Sequence, residues 1–421
     1  MKFVLASYGT RGDVEPYVAV GQELLRRGHV VRMAVSPDQV GFAEAAGLSA
    51  VGYGPDSREW QKVHREFLRR LSRSFWQVRD LSSLWRQDWE LINHFWDDAA
   101  ATLTSLADGA DLVFTSVLAE EPAANVAEYY DVPLATLHYF PMRPNGQFVR
   151  GLPRRVGRVA MGVSQWLSWP LTKKLGDAQR RAFGLPKSRG PAARRIVDRG
   201  SLEIQGYDEV CFPGLSAEWA RFGDRRPFVG ALTLELPTDA DAEVAAWIAE
   251  GTPPIFFGFG SMPVQSSADT LAMISAACAE LGERALVCAA SSDFSDVSND
   301  RVKVVDTMNY AAAFPSCRAL VHHGGVGTTA AGLRAGVPTL VLPTWADQVI
   351  WATQVKRLKV GTARPLSKTS QESLVADLRM ILTPECAARA HDIATRMTKS
   401  TESVATTADL VQDFARSWRV S

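Results

Sequence analysis

Residues 320–348 read LVHHGGVGTTAAGLRAGVPTLVLPTWADQ, and their punctuation marks a strand–loop–helix–strand unit. The apolar run at 319–321 predicts a buried strand. It feeds His322-His323-Gly324-Gly325-Val326-Gly327, a glycine-rich turn, after which Thr328-Thr329 start an alanine-rich helix. A strand leading through such a turn to a helix N-terminus makes an anion site, because unpaired N–H groups and the positive end of the helix dipole face the ligand. Glycine there lets a phosphate approach a backbone that a Cβ would screen. Gly336 followed by Pro338 predicts the helix stop. A second strand at 339–342 delivers a polar tip, Trp345-Ala346-Asp347-Gln348.

Together HHGGxGTT, AGVP and the strand ending in ADQ resemble the donor-binding signature of family 1 glycosyltransferases of the GT-B type, which use nucleotide-activated sugars. The glycine loop alone would be a weak signal. The N-terminal stretch SYGTRGDVEP, residues 7–16, resembles the bacterial branch acting on glycopeptides and lipids, above all on actinobacterial glycolipids. The resemblance implies an α/β GT-B fold, two facing doubly wound, Rossmann-like parallel-sheet domains with an interdomain cleft. The expected division is an acceptor-binding domain at 1–223, a linker at 224–241, a nucleotide-sugar domain at 242–403, and a helix at 404–421 crossing back to the first domain.

Composition agrees with two domains, since 421 residues exceed the size at which one core stops growing. Lys and Arg number 46, as do Asp and Glu, so bulk charge gives no reason to expect a nucleic-acid partner. Cys211, Cys278, Cys288, Cys317 and Cys386 form no C-x-x-C pair, which suggests buried thiols in a reducing compartment. No signal segment precedes the first strand, and no apolar run approaches the ~20 residues that span a bilayer. The expectation is a cytoplasmic protein, with peripheral contact at the inner face of the cell membrane left open.

The chain opens with a strand at 2–6, a loop at 7–13, a helix at 14–25 and a strand at 30–35, a βαβ unit. Its G-T-R-G loop is not G-x-G-x-x-G, and the second strand ends Ala34-Val35-Ser36-Pro37 with no acid for a ribose. A dinucleotide site is therefore a poor reading. Trp60, Phe67, Phe75, Trp76, Trp85, Trp89, Phe95 and Trp96 crowd residues 57–106. They form either a core stripe or the wall of a pocket for a large apolar acceptor. Residues 143–199 hold fourteen Lys or Arg against two acids, Asp177 and Asp198. A helical stripe of Val156, Val159, Val163, Trp166, Leu167 and Leu171 runs through them, flanked by Arg154, Arg155, Arg158, Lys173 and Lys174. Two readings stand for it, a solvated face or a segment in reversible contact with an anionic membrane surface. A strand at 254–259 ends in a second glycine loop, Gly258-Phe259-Gly260-Ser261.

What the resemblance implies for the site is specific. His323 matches the histidine that contacts the diphosphate of the donor. Gly325, Gly327 and Thr328 would supply donors to the same phosphates, with Ser261 facing them from the neighbouring strand. Asp347 and Gln348 match the pair that hydrogen-bonds the donor sugar, and Met308 and Asn309 sit where the backbone grips the base. Gly12, in the first loop, joins this donor-binding set, and Asp13 is the candidate catalytic base. Asp13 is also a good helix N-cap, which would stabilise its carboxylate and weaken it as a base. Ala331 stands where plant members carry a ribose-binding glutamate, so uridine and deoxythymidine both remain open. No clustered metal site is evident, and the implied mode is inverting and metal-independent, with the sugar nucleotide as co-substrate and no other cofactor. The expected acceptor is a hydroxyl on a large apolar or lipid-linked molecule. Alternatives are a soluble natural-product aglycone, a nucleotide-sugar 2-epimerase, or an inactive sugar-nucleotide binder.

Overall fold

The computed structural model of the chain describes residues 1–60, 62–63, 78–147, 153–259, 267–289, 299–344 and 346–419. Short apolar runs alternate with helices along it, and a strand returning to its sheet after a helical crossover does so in parallel. Strands β1 (Lys2–Ser7), β2 (Val30–Val35), β3 (Ser49–Gly52), β4 (Leu112–Ser116), β5 (Leu134–His138) and β6 (Leu202–Gln205) form one sheet. Its order is β3-β2-β1-β4-β5-β6, and every pairing is parallel. Strands β7 (Ile255–Gly258), β8 (Ala285–Cys288), β9 (Val302–Val305), β10 (Ala319–His322), β11 (Thr339–Val341) and β12 (Gly361–Ala363) form a second, ordered β12-β11-β10-β7-β8-β9 and again parallel throughout. Read from its β9 edge, the second sheet repeats the order of the first. Each is a doubly wound sheet whose chain reverses direction at its first strand, beside β1–β4 and β7–β10, and ligands of such sheets bind outside the strand ends there.

The chain divides into two compact units. Met1–Gly206, Leu215–Leu232 and Thr401–Ser421 make the first, Tyr207–Gly214 and Thr233–Ser400 the second. Residues from Thr401 onward thus pack with the first unit, where Arg27 holds Asp409 at 2.6 Å and Trp418 donates to the Asp131 carbonyl at 3.3 Å.

In the aromatic segment Trp60, Phe95 and Trp96 prove to be packed inside, while Trp89 is half-buried. Tyr8, Tyr53, Trp60 and Phe95 pack edge-on or tilted, with Tyr8 and Phe95 centroids 4.7 Å apart, and Trp96 is also buried. The Trp60 indole N–H donates to Asp88 at 2.9 Å, so its one polar group is satisfied inside the protein. Phe67, Phe75, Trp76 and the Trp85 side chain lie outside the described residues.

The basic segment needs a larger correction, because its charge is not all on the surface. Arg143 is buried between Glu120, which it grips with both terminal nitrogens at 2.9 and 3.0 Å, and Glu203. Arg226 holds the other Glu203 oxygen at 2.6 Å, and His138 meets Glu120 at 2.9 Å. Arg180 and Arg195 pair with Glu128 and Glu121. Counting charge within 143–199 missed these partners, because the acids sit on the Glu120–Tyr129 helix and on β6. The apolar stripe, by contrast, is exposed: on the Arg154–Ala182 helix Val159 is 64%, Leu167 74% and Leu171 64% accessible. Among the described residues no helix is long and apolar enough to cross a membrane.

Burial by itself would raise the Glu120 carboxyl, but Arg143 and His138 outweigh it and hold its pKa down from the ordinary 4.5 to about 2. Between those values the unfolded chain binds the proton and the folded one does not, so this stabilisation is present above about pH 5 and is lost as pH falls toward 2. Arg143→Ala leaves two buried carboxylates short of a partner and is expected to lose about 3–5 kcal/mol. Urea denaturation at pH 7 measures this, and a loss below about 1 kcal/mol would contradict the assignment.

Candidate active site

In the first unit the chain leaves β1 and turns at Gly9, whose φ is +138° and where a Cβ would fall 2.3 Å from Asp13 Oδ2. Only glycine accepts that backbone and leaves room for the carboxylate. The Thr10 N–H and hydroxyl donate to Asp13 Oδ2 at 2.8 and 3.1 Å, forming a capping box at the head of the Arg11–Arg26 helix. The helix therefore starts three residues before the expected 14, and Thr10 rather than Asp13 is its cap residue. The reciprocal bond between Thr10 and Asp13 extends it. The Asp13 carbonyl accepts from Ser7 Oγ and from the Tyr139 hydroxyl, both at 2.7 Å, so the half-buried Asp13 is fixed from both sides. Gly12 is exposed beside it, with nothing within 4 Å of where a Cβ would stand.

In the second unit β10 ends in His322, fully buried, whose Nδ1 accepts the Gly324 N–H at 2.9 Å. That bond shapes the turn. Gly324 has φ +96°, and a Cβ on it would lie 2.7 Å from Val341 Cγ1 and 3.2 Å from the Gln348 carbonyl. Burial, with His323 adding to it, lowers the His322 pKa to about 3; burial lowers His323 to about 4 against a hydrogen bond with the Gly258 carbonyl. Both rings are neutral at pH 7. His322 Nε2 and His323 Nδ1 are buried without a hydrogen-bond partner, which in a native protein calls for an explanation.

Gly325 caps the Val326–Ala335 helix, which ends at a left-handed Gly336 as its sequence predicts. The first helical donor is Thr329 N–H, to the Gly325 carbonyl at 2.9 Å, so those of Val326, Gly327 and Thr328 have no partner within the helix. A Cβ at Gly327 would meet only Thr233, at 3.8 Å, so packing does not demand glycine there.

At the next strand end, buried Gln348 accepts from the Thr344 N–H and hydroxyl at 2.8 and 3.0 Å. Asp347 lies exposed in the first turn of the Ala346–Leu358 helix. Desolvation by the surrounding protein raises its carboxyl pKa, against backbone N–H groups of Asp347 and Gln348 that lower it. His323, Gly325, Gly327 and Thr328 thus share one loop and helix start, and the Gln348 backbone adjoins it at Gly324. Met308 is buried past β9, three strands from β10, roughly 14 Å away at the spacing of a sheet. Asn309 is engaged within the fold: its N–H goes to Asp241 at 2.8 Å, its side chain caps the Tyr310–Ala313 helix, and its carbonyl accepts from Ala313. Asp239-Ala240-Asp241 has the D-x-D spacing of metal-binding carboxylates, yet both Asp241 oxygens are taken by Thr238 and Asn309. Ser261 lies outside the described residues.

Residues 3–104 match the glycosyltransferase family 28 N-terminal domain, and residues 272–415 match the C-terminal domain of the erythromycin biosynthesis protein CIII-like family. An uncharacterized glycosyltransferase of Mycobacterium leprae is 55% identical over 425 residues, covering 99% of this chain and 97% of its own. The chain belongs to the family 1 GT-B glycosyltransferases. The fold of this glycosyltransferase is also that of the kitacinnamycin glycosyltransferase, with a TM-score of 0.69 at 18% identity and 98% of each chain covered. The glycosyltransferase VinC in complex with dTDP matches with a TM-score of 0.64 at 20% identity, over 99% of this chain and 100% of that one.

The same geometry gives a test. A Cβ at Gly325 would lie 2.6 Å from His323 Nε2, the far end of a side chain able to swing aside. Gly325→Ala is therefore expected to keep the fold but displace the ring, weakening nucleoside diphosphate binding by about tenfold, one hydrogen bond to a charged group. Calorimetry with UDP and dTDP, beside a melting curve, reads this; unchanged affinity would remove His323 from the diphosphate contact.

Proposed function

We propose that the enzyme transfers a sugar, with inversion, from a UDP- or dTDP-sugar to a hydroxyl of a large apolar, lipid-linked acceptor, the second unit taking the donor and the first the acceptor. The observation carrying the donor assignment is the bare N-terminus of the Val326–Ala335 helix next to the half-buried, neutral His323 at the β7–β10 switch point. N–H groups and a helix dipole in low dielectric favour a diphosphate and stabilise the charge it gains on leaving. Asp347 and Gln348 are assigned the sugar hydroxyls, and Met308 the base. In the reaction the acceptor oxygen attacks the anomeric carbon from the side opposite the diphosphate. Its proton passes to the Asp13 carboxylate, and the bond to the diphosphate breaks with its electron pair going to the leaving oxygen. These side chains and the helix dipole take the charge-stabilising part that a metal plays elsewhere.

The acceptor assignment rests on the exposed stripe of the Arg154–Ala182 helix and the basic residues flanking it, in the unit assigned to the acceptor. A small polar acceptor has no use for either feature. An acceptor held in a bilayer brings the enzyme to an anionic apolar boundary, where shallow reversible attachment suits both.

Two substitutions test the chemistry. Asp13→Asn retains an oxygen for the Thr10 bonds but cannot accept a proton, so fold and donor affinity are expected to persist while transfer is lost. His323→Ala is expected to lower turnover by about 10²-fold, the scale of one donor to a developing anion. Turnover of UDP- and dTDP-sugars with and without lipid acceptors measures both. Normal transfer by Asp13→Asn reduces that residue to its structural part in the capping box, and equilibration of the donor alone would indicate an epimerase.

A further inference from the structure

On the first unit a cavity of about 460 Å³ lies between the end of the Arg154–Ala182 helix and the Ala192–Asp198 helix. Arg180, Lys187, Arg189, Arg194 and Arg195 line it, with Asp198 as the one lining carboxylate. Arg180 and Arg195 are fixed in its wall by Glu128, Asn125 and Glu121. Lys187 and Arg189 are exposed, and among the described residues neither carries an ion pair. Arg194 meets Asp198 only at 3.4 Å, with the two side chains 64% and 65% accessible, an attraction largely screened by water. Set against Asp198, Glu121 and Glu128, the five cations leave a local excess of two positive charges, which suits one phosphate.

The cavity adjoins the apolar stripe. Gly190 of its wall packs under Trp166, so closely that a Cβ there would stand 3.2 Å from the indole. Trp166 itself is 43% accessible and continues the row of Val159, Val163, Leu167 and Leu171. That row, residues 156–171, extends about 22 Å along the helix. A site for a free anion needs no apolar neighbour, whereas a phosphate at the end of an acyl chain brings one with it.

We propose that this cavity seats the phosphate headgroup of an anionic phospholipid, while the stripe lies in the acyl boundary beside it. The inference rests on the bilayer-facing reading of the acceptor and adds to it a defined lipid site, one that distinguishes local recognition from diffuse attraction.

Sedimentation with extruded vesicles of phosphatidylcholine, alone or mixed with phosphatidylglycerol, tests it. The wild-type protein is expected to bind the mixed vesicles at low salt and the neutral ones weakly. Lys187→Ala/Arg189→Ala, at two exposed positions that spare the fold, is expected to cut binding to mixed vesicles by about tenfold or more. Arg154→Ala/Arg155→Ala removes the same charge beside the stripe but outside the cavity, and is expected to lose clearly less. Equal losses for the two pairs overturn the headgroup site and leave a diffuse basic face. Inorganic phosphate binding that depends on Lys187 and Arg189, with vesicle binding unchanged in the double variant, assigns the cavity to a free anion and overturns the lipid. If the wild type fails to bind mixed vesicles at all, the bilayer-facing reading falls as well, while transfer by the Asp13 and His323 variants still judges the catalytic assignment separately.

Discussion

Parallel pairing limits where this enzyme can keep polar groups. β1 lies between β2 and β4, and β7 lies between β8 and β10. With sheet partners on both sides and helices over the faces, such strands are buried almost throughout, and a polar side chain there would lose its water without gaining a partner. Chemistry is displaced to the residues just past the strand ends. Asp13 follows β1 by way of the Gly9 turn, and His323 follows β10 directly. At the β1–β4 and β7–β10 boundaries the connections leave toward opposite faces of the sheet, so the backbone there stays open to a ligand.

Burial is handled in two contrasting ways. In the first unit Glu120, Arg143, Glu203 and Arg226 are charged and deep, and each finds opposite charge within hydrogen-bonding distance. Taken whole, such a cluster adds little to net stability over apolar packing, whereas removing one member strands a buried charge. In the second unit His322 and His323 meet burial by losing charge. Neutral His322 can then accept the Gly324 N–H, which a protonated ring could not do through the same nitrogen, and the glycine turn takes its form. A low-dielectric pocket with bare N–H groups and a neutral histidine is suited to an anion that arrives with its own charge.

The Arg154–Ala182 helix shows what a count of charges conceals. Arg180 near its end is neutralised from the Glu120–Tyr129 helix, while Val159, Leu167 and Leu171 near its middle stay exposed. The surface left on this unit is therefore more apolar and less basic than its sequence reads, with exposed positive charge both beside the stripe, at Arg154 and Arg155, and at the cavity, at Lys187 and Arg189.

The central strands and the glycine-loop helix were determined by sequence alone, because each rests on signals a few residues apart. Residues 30–35 emerge as a strand at their expected bounds, and the helix after His323 stops at Gly336, where a left-handed residue was needed. Strands β3, β6 and β12 were not legible. β3 is largely exposed, β6 carries Glu203 and Gln205 inside the protein, and β12 is three residues long, so each is a strand only because a neighbour offers it a ladder. Likewise Asp13, His323, Asp347 and Gln348 could be picked out through the resemblance of their motifs to those of the family. Only the tertiary structure decided that Thr10 caps the helix of Asp13, that His322 builds the loop of His323, and that Asn309 is engaged with Asp241. Hydrogen-bond partners far apart in the chain leave no periodicity behind them, and burial, which sets the protonation of both histidines, is a property of the folded surroundings rather than of any stretch of sequence.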